Sequence, residues 1–288
     1  MRGVTLLELV VTIAVLGIIA AVASVFVQPA FQAYFATQRR AEMADVADTA
    51  LRRMTRDLRL ALPNSARVDG SNRFVEILLT KNGGRYRALN DDDNPVATAE
   101  DPLDFSAPDS VFDTLGTLPA SGDQQVQPND YVVIHNLGIA GADAYEVAAA
   151  DPNIARIAAF GAGALADEQR ITLAAATRFP LESPGRRFFV VSGPVTYACA
   201  GVGSAAGEGT GTLRRWSNYA IEPRGGLPPT ALPAGASDAL LADHVSACQI
   251  DYTALPMLGR GLVAVRLGIT RANETVTLYF EAQVNNVP

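Results

Sequence analysis

Charge is missing from residues 9–27, a run of 19 positions whose side chains are apolar apart from Thr12 and Ser24. A water-facing helix does not leave so long a stretch uncharged, whereas about 20 apolar residues cross a ~30 Å hydrocarbon layer as a helix. Chemistry-bearing residues are scarce too. The chain has two cysteines, two histidines and one tryptophan. No Cys-x-x-Cys pair is present, which leaves a poor basis for structural zinc. No nucleophile elbow, phosphate loop or dinucleotide fingerprint occurs, so the chain is expected not to be an enzyme and to carry no cofactor. His135 sits inside an apolar strand pattern and His244 precedes Val-Ser-Ala-Cys248; neither has a His or Glu at metal spacing, and satisfied structural roles are expected for both. No repeat emerges that would indicate a solenoid.

What is present before the uncharged run is one acid, Glu8. A carboxylate at the start of an apolar span costs a few kcal/mol even on the mildest insertion scale, so it needs a reason. Beyond the run the pattern stays helical. Phe31, Phe35, Met43, Val46, Ala47, Ala50, Leu51, Met54, Leu58 and Ala61 recur mainly at spacings of three and four, one apolar stripe. Arg39, Arg40, Glu42, Asp45, Asp48, Arg52, Arg53, Arg56, Asp57 and Arg59 fill the remaining face. Pro63, Asn64 and Ser65 end it. Residues 5–62 predict a helix of roughly 85 Å. Gly17 lowers its propensity, and Pro29 removes a hydrogen bond and predicts a bend near the membrane surface. The arginines read as a solvated face with ion pairs to the interleaved aspartates. A net charge of −7 and a pI near 4.9 also argue against specific nucleic-acid binding.

Residues 64–288 are expected to form a β-rich head. Strands are predicted at 73–80, 131–136, 187–192, 194–199, 262–269 and 274–284. The last two read as a hairpin with one wet face, linked through 270–273. Residues 88–130, 200–212 and 223–236 read as loops, and the Ala-rich segment 138–168 is denied a long helix by Pro152 and its glycines. The acidic run Asp91, Asp92, Asp93, Asn94 offers oxygen ligands but lacks the spacing of a calcium loop, so no metal is expected. The fold class expected is α+β: a long N-terminal helix packed on a mostly antiparallel sheet.

The opening residues Arg2-Gly3-Val4-Thr5-Leu6-Leu7-Glu8-Leu9 resemble the class III signal of type IV prepilins and type II secretion pseudopilins. The resemblance implies a leader of residues 1–3 cut by a prepilin peptidase between Gly3 and Val4, and N-methylation of Val4. Val4 departs from the family's usual Phe. Residues 4–28 would then span the membrane, 29–62 continue the helix, and 63–288 form a periplasmic or extracellular head. Glu8 would pair with the N-terminal amine of a neighbouring subunit, since either charge alone in an apolar core is costly. An ordinary secretory signal with a cut near Ala21-Val22-Ala23, and a plain single-span anchor, are the rival readings. Residues 41–68, His244 to Gln249 and the terminal Thr277 to Pro288 are similar, more loosely, to the O-type minor pilin of mannose-sensitive haemagglutinin (MSHA) pilus systems. The J-type minor pseudopilins share its helix and β-rich head.

The resemblance implies a minor pilin for initiation or tip assembly, with a J-type pseudopilin or a pilus-tip adhesin as alternatives. Its partners would be other major and minor pilins, the prepilin peptidase and the inner-membrane assembly platform. The chain would reside in the inner membrane of a Gram-negative bacterium, head in the periplasm, and in the surface pilus after assembly. A head outside the cytoplasm permits a Cys199–Cys248 disulfide, with two buried thiols as the alternative.

Overall fold

The computed structural model describes residues 4–90, 100–223, 225–255 and 259–288. Helix α1, Leu6–Arg59, is one unbroken element of 54 residues that passes through Gly17 and Pro29. It has two environments. Residues 4–35 are all exposed, Phe31 and Phe35 among them. From Met43 onward one face is buried: Met43, Ala47, Ala50, Leu51, Met54 and Leu58 pack on the head. Only the second half of the predicted stripe is buried; Phe31 and Phe35, in its first half, are exposed. Leu60 closes the helix, donating its N–H to the Asp57 carbonyl at 3.0 Å, and Asn64 (φ 60°) turns the chain back.

The head is all antiparallel sheet. Under the helix lie β1 (Arg67–Val68), β2 (Phe74–Tyr86), β7 (Arg187–Ala200), β10 (Gly211–Ser217), β11 (Ser237–Leu255), β12 (Arg260–Arg271) and β13 (Glu274–Asn285), side by side in that order. Alternate residues of these strands, among them Ile77, Val195, Leu213, Val263, Leu267 and Val284, face the buried stripe of α1. The β12–β13 turn has positive φ at both Ala272 and Asn273, the geometry that suits a two-residue hairpin.

A second body grows from the far ends of β2 and β7. Strands β3 (Asp109–Leu115), β4 (Tyr131–Ile134), β5 (Ile154–Ala162) and β6 (Glu168–Thr177) complete a ring with them: β2 pairs with β3, β3 with β6, β6 with β5, β5 with β4, β4 with β7, and β7 with β2. This is a closed six-stranded barrel. Each strand sends side chains into one core, including Tyr86, Phe112, Val132, Ile157, Ile171 and Phe188, which fill it as in other small barrels. The expectation of a loop at 88–130 is corrected here by β3, and segment 138–168, denied a long helix by its sequence, holds β5 and the start of β6. Segment 200–212 likewise holds the small hairpin β8 (Ser204–Ala205) and β9 (Glu208–Gly209) and the start of β10.

Strands predicted at 187–192 and 194–199 are one, β7. Its first half pairs with β4 and its second with β10, both against β2. Gly193, at φ +127°, sits where the neighbour changes. Pro194 lacks an N–H, but it falls in the gap between β4 and β10, where no ladder bond is lost. The barrel adjoins the C-terminal end of α1: Leu62 packs with Val133 and Val191, and Asn136 donates to the Pro63 carbonyl at 2.6 Å.

Candidate functional site

The N-terminal end of α1 carries the residues singled out for processing and assembly. Thr5 is the N-cap, its hydroxyl accepting from the Glu8 N–H at 3.4 Å. Thr5 and Glu8 stand at the spacing of a capping box. The Glu8 carboxylate takes no hydrogen bond or ion pair among the described residues, and it is exposed. Val4 is 70% exposed. Gly3 lies outside the described residues, as do the acidic positions 91–94. The helix is long and apolar enough to cross a membrane.

The other end of α1 is fixed by charge as well as packing. Asp57 is not on the solvated face where the sequence reading put it. It is 5% exposed, and it accepts from the Arg215 Nε at 2.8 Å and the Tyr197 hydroxyl at 2.9 Å. Burial, and then Asp57 itself, push the Tyr197 phenol far above its usual range, so it remains a donor. Burial works against the Arg215 charge, but the Asp57 carboxylate outweighs it and the pKa is raised. A signal for this was available: Met54, Asp57, Leu58 and Ala61 fall at i, i+3, i+4 and i+7, so Asp57 lies on the apolar stripe itself. Nothing comparable marked Arg215 or Tyr197. At the edge of the head nearer the N-terminal half of α1, Glu274 meets Arg40 at 3.1 Å and Arg271 approaches Glu42 at 3.8 Å.

The turn into β2 is built around Asp69. Its carboxylate accepts from the N–H groups of Ser71, Arg73 and Phe74 at 3.0, 2.9 and 2.8 Å, and from the Ser71 hydroxyl. Desolvation opposes its charge, yet these donors outweigh it and lower the pKa. The turn also holds β11, through Ile250 N–H to the Asn72 carbonyl at 2.7 Å. There Cys199 and Cys248 form a disulfide with Cα atoms 6.3 Å apart. The two strands are not sheet neighbours. The bridge is possible because β10 starts at Gly211, opposite Val245, and leaves the rest of β11 facing β7 and the turn.

Other polar residues close on themselves. Arg87 is clamped between Glu100 and Glu168, and Arg170 forks onto the fully buried Asp113 with two bonds of 2.8 Å. His135 follows β4 with positive φ, and its buried Nδ1 has no hydrogen-bond partner, which corrects the expectation of a satisfied histidine; burial lowers its pKa. His244 places Nδ1 3.2 Å from a Glu208 carboxylate oxygen but makes no hydrogen bond there, so the same expectation is corrected for it. Among the described residues no group of three or more His, Cys, Asp or Glu is placed to hold a metal. Of the helix arginines, Arg52 pairs with Asp48 at 2.6 Å, while Arg53, Arg56 and Arg59 form no ion pair among the described residues. The internal pairing expected of that face is thus largely absent: Asp57, four residues from Arg53, turns inward, and no acid lies three or four residues from Arg56 or Arg59.

Comparison of the chain with family models, with curated proteins and with solved structures finds no match in any of the three.

Proposed function

We propose that this chain is a minor pilin that helps initiate or cap a type IV pilus of the MSHA kind. The observation that carries the reading is the division of α1: an exposed apolar half continuous with a half locked onto a β head. Water does not tolerate the first half bare. A bilayer would cover it before assembly, and the helical core of a filament afterwards. Glu8, exposed and unpartnered in the single chain, would find the N-terminal amine of the adjacent subunit there. Major and minor pilins, the prepilin peptidase and an inner-membrane assembly platform are the partners this function requires, with the head in the periplasm until export to the surface.

The barrel supports a tip or initiating position over a repeating one. It sits past the C-terminal end of α1, so a repeating subunit would have to fit it beside every neighbour. A secretion pseudopilin would use the same helix in the same way.

Co-expression with a prepilin peptidase tests the processing step. The mature chain should begin at Val4 and carry the mass of one added methyl group. An N-terminus beyond residue 20 would instead mark an ordinary secretory signal and overturn the reading.

A further inference from the structure

We propose that the groove between α1 and the outer edge of β13 receives an extended acidic segment of another polypeptide, added to the sheet as a further strand. Strand β13 is last in the sheet. It pairs with β12 residue for residue from Arg260↔Asn285 to Arg271↔Glu274, without a register shift, and no strand lies on its other side among the described residues. Natural edges of this length are blunted by proline, lysine, bulges or cover. The twelve residues of β13 contain neither proline nor lysine. Helix α1 packs over one face of β13, but none of its residues makes a main-chain hydrogen bond beyond the β12 ladder among the described residues, so the outer edge offers donors and acceptors to an incoming strand.

The wall beside this edge selects the partner. A groove of about 820 Å³ runs between the strand and the helix, with Arg53, Arg56 and Arg59 on one side and Leu60 and Phe280 in it. Leu60 is 48% exposed, and the three arginines form no ion pair among the described residues. Glu281, the acid that lines the groove, accepts from the Tyr279 hydroxyl at 2.5 Å. Three neighbouring guanidinium groups with no carboxylate paired to them among the described residues offer charge-assisted, bidentate hydrogen bonds to carboxylates. Alternate side chains of a strand recur about every 7 Å. The three arginines span about 9 Å along the helix axis, room for two carboxylates at alternating positions.

Two other anions fit less well. The groove begins at Thr49, some 30 Å of helix beyond the end of the uncharged run, which puts lipid headgroups out of reach. A nucleic acid would use the arginines but neither the peptide edge nor the apolar floor. The inference stands on this geometry and does not require the filament reading; in a filament the segment would belong to a neighbouring subunit.

The test uses the full chain in detergent micelles and a fluorescent peptide of about ten residues alternating Glu and Val, followed by anisotropy. It should bind, and the R53E/R56E double variant should weaken binding about tenfold or more. A Lys–Val peptide should not bind, and the Glu–Val peptide with N-methylated backbone amides should also lose about tenfold. Both substituted arginines are exposed, and circular dichroism checks that the variant is folded. Equal binding of the N-methylated peptide would overturn strand addition. Unchanged affinity of the double variant would overturn the site. Displacement of the peptide by a lower concentration of DNA duplex would assign the arginines to nucleic acid instead.

Discussion

At Asp57 a single carboxylate crosses from helix to sheet, and its worth follows from what is left when it goes. Removing it strands a half-buried guanidinium and a buried phenol. Asp57→Ala should therefore cost about 3–5 kcal/mol in chemical unfolding of the head, whereas exchanging Asp57 and Arg215 together for apolar residues should recover most of that. A single variant no less stable than the parent would mean that the pair contributes nothing. Asp69 gives a pH signature. Its pKa is held below the ordinary carboxylate value of 3.8, so its contribution is present above that value and is lost as pH falls through the folded pKa. Asp69→Ala should cost about 2–3 kcal/mol at neutral pH, since three backbone donors lose their acceptor. The gap between variant and parent should narrow when unfolding is repeated near pH 3. An unchanged gap would contradict the hydrogen-bonding account.

Among the elements, α1 was legible from end to end, because spacings of three and four recur over dozens of residues and Thr5 and Pro63 mark its limits. The strands that alternate cleanly, β12 and β13, were legible as well. Of the barrel strands, β2, β4 and β7 were legible too, while β3, β5 and β6 were not, and the reasons are local. In β5 the register shifts between Ile157 and Ala159, which breaks the two-residue period. β6 ends in Ala-Ala-Ala, small residues that carry no pattern. β11 holds 19 residues, but His244 has positive φ and the register shifts between Val245 and Ala247, so its faces exchange midway. Composition around β3 is dominated by acids, prolines and glycines, with Phe112 as the main core residue. Of the candidate site, the disulfide cysteines were legible, and Asp57 was misplaced because charge was read before position. The disulfide joins elements that are not sheet neighbours, so its loss should be felt by the whole head. Replacing Cys199 and Cys248 with serine should lower stability by about 2–5 kcal/mol. Equal denaturation midpoints with and without the bridge would contradict that.

Taken whole, the molecule is a single helix with one half folded against its own head and the other half bare, and a barrel beyond the end of the fold. The two cores explain how such a chain holds together by itself: the helix-on-sheet core needs only residues 43 onward, and the barrel needs no helix at all. Among the described residues, nothing in the head covers residues 4–35. We propose that lipid covers them first and other subunits afterwards, early in filament assembly. Counting surface pili by electron microscopy in a strain that lacks this gene, with and without a plasmid-borne copy, tests this most directly. Few or no pili, restored by the wild-type copy and not by a Glu8→Gln copy, is the predicted result. Normal pilus numbers in the deletion strain would contradict a role in starting the filament.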